Sequence, residues 1–154
     1  MARYLAFLPL AAYLLATVYA LDDGLYLISP GAPPVNPVSL ELASPDGNVT
    51  LAPSKQSNPN QVWRISSAEA QRVTIKNVAQ GSYAGSSNLT TGQNVQGVQE
   101  PFLFTVEPVE GGLYRIQVPD QDLEVSVANT SKPGTPAVFQ SEGSSRPFRF
   151  DRLS

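Results

Sequence analysis

Beyond residue 20 the chain alternates apolar and polar residues in short runs. Val38-Ser39-Leu40-Glu41-Leu42 places Val38, Leu40 and Leu42 on one side and Ser39 and Glu41 on the other. Leu123-Glu124-Val125-Ser126-Val127 follows almost the same scheme. A period of two marks half-buried strands, because successive side chains of a strand point to opposite faces. No stretch sustains the 3.6-residue period of an amphipathic helix, and proline or glycine interrupts every interval. The pattern predicts an all-β chain.

The strands recur in threes. Tyr26-Leu27-Ile28, Val73-Thr74-Ile75 and Tyr114-Arg115-Ile116 each open a third of the chain. Trp63-Arg64-Ile65, Phe104-Thr105-Val106 and Phe148-Arg149-Phe150 each close one. Between opener and closer lies a glycine turn leading to Val49, Val95 or Ala137. Equivalent positions fall about forty residues apart, the spacing of a repeated supersecondary unit. The repeats run over about 24–67, 68–109 and 110–154, joined by Ala68-Glu69-Ala70-Gln71 and Glu110-Gly111-Gly112. Each unit has room for about four short strands and cannot bury its apolar face alone. Three such units closing on one another predict a β-trefoil, which also leaves few open sheet edges.

Composition adds an address and removes several chemistries. Residues 1–20 combine Arg3, an apolar run from Tyr4 to Leu15, and Val18-Tyr19-Ala20. That is the layout of a secretory signal peptide, too short in its apolar part to span a bilayer. The expected product is a secreted domain over 21–154 with no membrane insertion. The whole chain has 10 basic and 13 acidic residues, and removal of Arg3 leaves a net charge of about −4. No basic cluster is present to follow a phosphate backbone, which argues against nucleic acid as a partner. Histidine and cysteine are absent, so the usual general base, metal ligand and strong nucleophile are missing. The expectation is a binding protein, not an enzyme, with no cofactor and no metal.

Gln61-Val62-Trp63, after Asn58-Pro59-Asn60, resembles the Gln-x-Trp signature of ricin-B-like β-trefoil lectins. The corresponding segments of the other thirds read Phe102-Leu103-Phe104 and Arg146-Pro147-Phe148. The layout is similar to that of short fungal lectins of this type across nearly all of 21–154. The resemblance implies glycan or glycoprotein as partner and a site on the second repeat lined by aromatics. The matching positions are Tyr83, with Gly85 beside it, and Phe102. Sugar faces stack on aromatic rings while amides and carboxylates take the hydroxyls. In typical ricin-type sites an acidic residue early in the repeat takes two hydroxyls, which draws attention to Glu41 and Glu124. Phe139 is the aromatic at the platform position of the third repeat, or alternatively a residue closing the barrel.

The same scaffold is similar to that of fungal trefoil protease inhibitors, which act through an extended loop. Ser29 to Pro37 contains four prolines, which restrict the backbone before any partner arrives. A protease is therefore the alternative partner, with Val35 and Asn36 near the loop apex. The plainer reading of that loop is a stiff connector. Three N-glycosylation acceptors, Asn48-Val49-Thr50, Asn88-Leu89-Thr90 and Asn129-Thr130-Ser131, occur once per repeat.

Overall fold

The computed structural model describes residues 21–31 and 37–154. The first third contributes β1 (Gly24–Pro30), β2 (Val38–Leu42), β3 (Val49–Pro53) and β4 (Val62–Ser67). The second contributes β5 (Arg72–Asn77), β6 (Tyr83–Gly85), β7 (Gln96–Val98) and β8 (Leu103–Val109). The third contributes β9 (Leu113–Gln117), β10 (Leu123–Val127), β11 (Ala137–Ser141) and β12 (Phe148–Arg152).

First and last strands of the three units form a closed barrel. β1 pairs with β4, β4 with β5, β5 with β8, β8 with β9, β9 with β12, and β12 returns to β1, always antiparallel. Within each unit the opening and closing residues lie opposite one another: Tyr26 with Trp63, Val73 with Phe104, Tyr114 with Phe148. Between units the match is Ile65 with Ile75, Val106 with Ile116, and Phe150 with Ile28. These two sets of register are threefold related, and the architecture is a β-trefoil.

The middle strands form three hairpins, β2–β3, β6–β7 and β10–β11. They cap the barrel through a ring of backbone bonds. Val49 N donates to Val95 O and Val95 N to Ala137 O, both at 2.8 Å. A second set runs Leu51 N to Thr135 O, Gly97 N to Gly47 O and Phe139 N to Gln93 O, at 2.9 Å each. Leu51, Gly97 and Phe139 therefore share one level. The three residues are very unequal in size: a Cβ on Gly97 would collide with the Pro45 carbonyl oxygen.

The core lies on the threefold axis. Trp63, Phe104 and Phe148 are buried at equivalent positions, as their spacing predicts. Ile28, Ile75 and Ile116 form the next layer, also buried. A residual apolar void of about 20 Å³ remains beside Trp63, Phe104 and the three isoleucines. At the rim, Asp23 accepts from Ser67 N (2.7 Å) and Ser67 Oγ (2.6 Å), fastening the end of β4 to the start of β1. Those bonds hold its carboxyl below the usual carboxylate range.

The first two joints between units follow one backbone path. Ala70 and Gln71 in the first have φ of 55° and 61°, and Gly111 and Gly112 in the second have 75° and 71°. The pairing of β4 with β5 and of β8 with β9 makes these positions equivalent. Glycine enters the left-handed region freely, whereas alanine and glutamine pay for it sterically.

Candidate functional site

Gln61 is almost fully buried and organises the first repeat. Its Oε1 accepts from Lys55 N at 2.8 Å, and its Nε2 donates to Pro53 O at 2.9 Å and Glu41 Oε2 at 3.0 Å. Asn58 Nδ2 donates to the same carboxylate oxygen at 2.7 Å. Asn58 can do so because it caps the short 3₁₀ turn Pro59–Gln61, accepting from Asn60 N at 3.1 Å. Glu41 is thus held rigidly through one oxygen and is only half-buried.

The second repeat replaces this polar pair by an apolar one. Strand register sets Gly85 level with Glu41, and Phe102 takes the place of Gln61. The Phe102 ring rests on Gly85, where an added Cβ would come within 2.7 Å of its Cβ and Cγ. Phe102 is half-buried, with ring centroids 4.9 Å from Phe104 and 6.3 Å from Phe139. Gly85 itself is buried, so its contribution is the space it leaves for the ring. In the third repeat the same two positions are Ser126 and Arg146.

Tyr83 lies two residues before Gly85 on β6 and shares its face. It is half-buried, and Lys76 Nζ sits 4.9 Å from its ring centroid. Backbone register places Leu25, Arg64, Lys76, Tyr83 and Val98 in one row across β1, β4, β5, β6 and β7. None of the five is buried. Beside the row runs a surface groove of about 280 Å³ lined by Arg64, Lys76, Asn77, Val78 and Gly81. Its floor is a fixed turn: buried Asn77 donates to Asn60 O at 2.8 Å and accepts from Gln80 N at 3.0 Å. Gly81 closes the turn at φ 69°. The cations of the row are not predicted as site residues from the sequence. Alternation in Val62–Ser67 and Arg72–Asn77 does point both outward, but only strand pairing brings them beside Tyr83.

Glu124 is not the counterpart of Glu41. Register sets it level with Ser39 and Tyr83, and it is fully buried with Oε1 accepting from Ser145 N at 2.8 Å. The cause is the alternation itself: Val-Ser-Leu-Glu-Leu and Leu-Glu-Val-Ser-Val present the same apolar pattern but exchange their polar positions. Phe139 is likewise no platform. Its side chain is wholly enclosed at the level of Leu51 and Gly97. Val35 and Asn36, like the expected leader over 1–20, lie outside the described residues.

The three acceptor asparagines are exposed. Asn88 and Asn129 follow β6 and β10 at the same register, whereas Asn48 lies across the turn next to β3. Even spacing along the chain does not make them equivalent, because the hairpin loops differ in length. Asn48 Oδ1 accepts from Gln96 Nε2 at 3.1 Å, and Asn129 Oδ1 accepts from Ser131 N and Oγ at 3.1 and 3.0 Å. Among the described residues no group of three or more acidic, histidine or cysteine side chains is placed to hold a metal ion.

No curated protein matches the sequence. Solved structures do match the fold. The ricin B-like lectin of Macrolepiota procera, in complex with lactose, has a TM-score of 0.72 at 22% identity, over 86% of this chain and 99% of that one. The Rhizoctonia solani agglutinin has a TM-score of 0.72 at 17% identity, over 86% and 97%. A designed threefold-symmetric protein, ThreeFoil, has a TM-score of 0.70 at 17% identity, over 85% and 100%. Residues 38–140, well over half of the chain, match the family described as ricin-type beta-trefoil lectin domain-like. With the threefold register and the buried Gln61–Trp63 pair, the chain belongs to the ricin-type β-trefoil lectin family.

Proposed function

We propose that this protein is a secreted carbohydrate-binding protein that holds glycan without transforming it, through the second repeat. The observation carrying this reading is Tyr83, a half-exposed ring on a rigid transverse row beside a groove. Tyr83 is the stacking platform, and Phe102 on Gly85 supplies an apolar shoulder one step along the same face. Lys76 shields the ring until a sugar displaces it. Leaving an aromatic face at an exposed site costs the ammonium about 0.5–1 kcal/mol, which the stacked sugar offsets. Export fits the leader-like residues 1–20, and the exposed Asn48, Asn88 and Asn129 are proposed N-glycosylation sites.

Lactose, which the Macrolepiota lectin holds, is a reasonable first probe. Binding through one ring and a few hydroxyl contacts should be weak, roughly micromolar to millimolar. Tyr83→Ala removes a stacking contact of about 1 kcal/mol, which is about a fivefold loss of affinity. Titration of the unglycosylated protein followed by NMR should place the shifts at residues 64–103. Shifts confined to Glu41, Asn58 and Gln61 would move the site to the first repeat. No shift with any neutral or acidic glycan would overturn carbohydrate binding.

A further inference from the structure

Arg64 and Lys76 are directly opposed across β4 and β5. Side chains in that relation lie about 5 Å apart at Cβ, and like charges there are destabilising. An acid beside such a pair would offset the repulsion, and two single arginines elsewhere do stand beside an acid. Arg72 bonds Asp120 at 2.8 Å, and Arg152 stands 3.6 Å from Asp22. Among the described residues neither Arg64 nor Lys76 has such a partner. Lys76 lies over Tyr83 instead, and Arg64 is exposed.

The groove beside this pair adds two further features. Its wall includes Val78, a large hydrophobic side chain 42% exposed, and its floor is the fixed Asn77–Gly81 turn. A two-cation edge and a ring therefore lie in one row of the sheet, with an apolar wall in the groove beside it. Neutral sugar offers the cations hydroxyl acceptors but no opposite charge. A sugar carrying an anionic group supplies their missing partner while its ring remains over Tyr83.

We infer that the second-repeat site selects acidic sugars, with Arg64 and Lys76 taking the carboxylate or sulfate of a ring stacked on Tyr83. The inference rests on the carbohydrate-binding reading and names the ligand class for that same site. Whole-molecule attraction does not produce this preference, because the chain carries a net charge of −3 and repels anions at long range. The selection is local, made by two donors that strand register sets side by side. Arg64 offers a planar fork suited to a carboxylate or sulfate, and Lys76 a point charge beside it.

Matched pairs test it: methyl glucuronide against methyl glucoside, and 3′-sulfated lactose against lactose, each titrated by NMR at low and high salt. The acidic member of at least one pair should bind roughly ten-fold tighter at low salt. Its advantage should shrink at 1 M salt, where screening acts within about 3 Å. Whichever pair shows the advantage identifies carboxylate or sulfate as the preferred group. Arg64→Gln and Lys76→Gln should each cut the acidic-to-neutral affinity ratio several-fold, and Arg64→Lys should restore part of it. A merely structural defect would weaken both members alike and leave the ratio unchanged. A ratio near one in the wild-type protein, or one that survives both glutamine variants, overturns the inference. If neutral sugars still bind in a Tyr83-dependent way, only the acidic preference has failed. If no member of either pair binds, the acidic preference is overturned, and the wider glycan titration decides the carbohydrate reading separately.

Discussion

Trp63 has a duty that its two counterparts lack. All three aromatics fill the barrel at the same register, but only Trp63 carries a donor, and its Nε1 donates to Leu40 O at 3.0 Å. That bond ties the first hairpin to the barrel wall. Trp63→Ala should cost about 3–5 kcal/mol, the usual penalty for emptying a large aromatic site in a core. Trp63→Phe is the sharper test, since phenylalanine already serves in the other two repeats. It should still cost about 1–3 kcal/mol, because the Leu40 carbonyl would be left buried and unpaired. Chemical denaturation followed by circular dichroism measures both. A Trp63→Phe protein as stable as the wild type would show that the residue is held by volume alone. Gln61 illustrates the same point in the polar register. The motif names it only as a letter, and in the fold its amide is consumed by Lys55, Pro53 and Glu41.

Strands and joints divide clearly into what their own residues announce and what only pairing decides. The opening and closing strands are legible because each closing run begins with an aromatic and each opening run recurs about forty residues on, and Tyr26, Val73 and Tyr114 do meet Trp63, Phe104 and Phe148. The glycine turns likewise lead to Val49, Val95 and Ala137 at one level. Tyr83, Gly85 and Phe102 could be named from the resemblance, and pairing sets Phe102 on Gly85. Glu124 escaped because a two-residue exchange of polar positions leaves the hydrophobic pattern intact. Arg64 and Lys76 escaped because the contact between them is transverse, and periodicity along one strand carries no news of its neighbour. The joints yield a prediction of their own. Since Gly111 and Gly112 follow the same path as Ala70 and Gln71, Ala70→Gly and Gln71→Gly should each stabilise the fold by about 0.5–1 kcal/mol through release of left-handed strain. Thermal unfolding of the two variants, singly and together, checks it. A loss of stability would mean that the larger entropy of glycine in the unfolded chain outweighs the strain.

For the whole molecule, the three units share a frame but no longer share contents. The cap level holds leucine, glycine and phenylalanine, and the position facing each closing strand holds a carboxylate, a glycine or a serine. Each unit is now fitted to its neighbours. Copying the first repeat over the second would drive a leucine side chain into the Pro45 carbonyl. The barrel, by contrast, is indifferent to where the chain enters it. β1 and β12 are neighbours, Tyr26 opposite Arg152, and Leu153 N donates to Leu25 O at 2.8 Å. The order in which the units are translated is therefore separable from the order in which they pack. A circularly permuted protein that starts at Arg72 and ends at Ala70, with a short flexible linker between Leu153 and the buried Leu21, should fold to the same structure. It should give the native circular dichroism spectrum and retain the Tyr83-dependent sugar shifts. The new opening falls at the strained joint, so cutting there removes Gln71 and frees Ala70 from the left-handed path that the present chain must hold in place. Permutation at that joint should then be tolerated better than at the tip of the β10–β11 hairpin, where no such strain is released. What reads in the sequence as a direction of travel is, in the assembled barrel, one of several equivalent doorways.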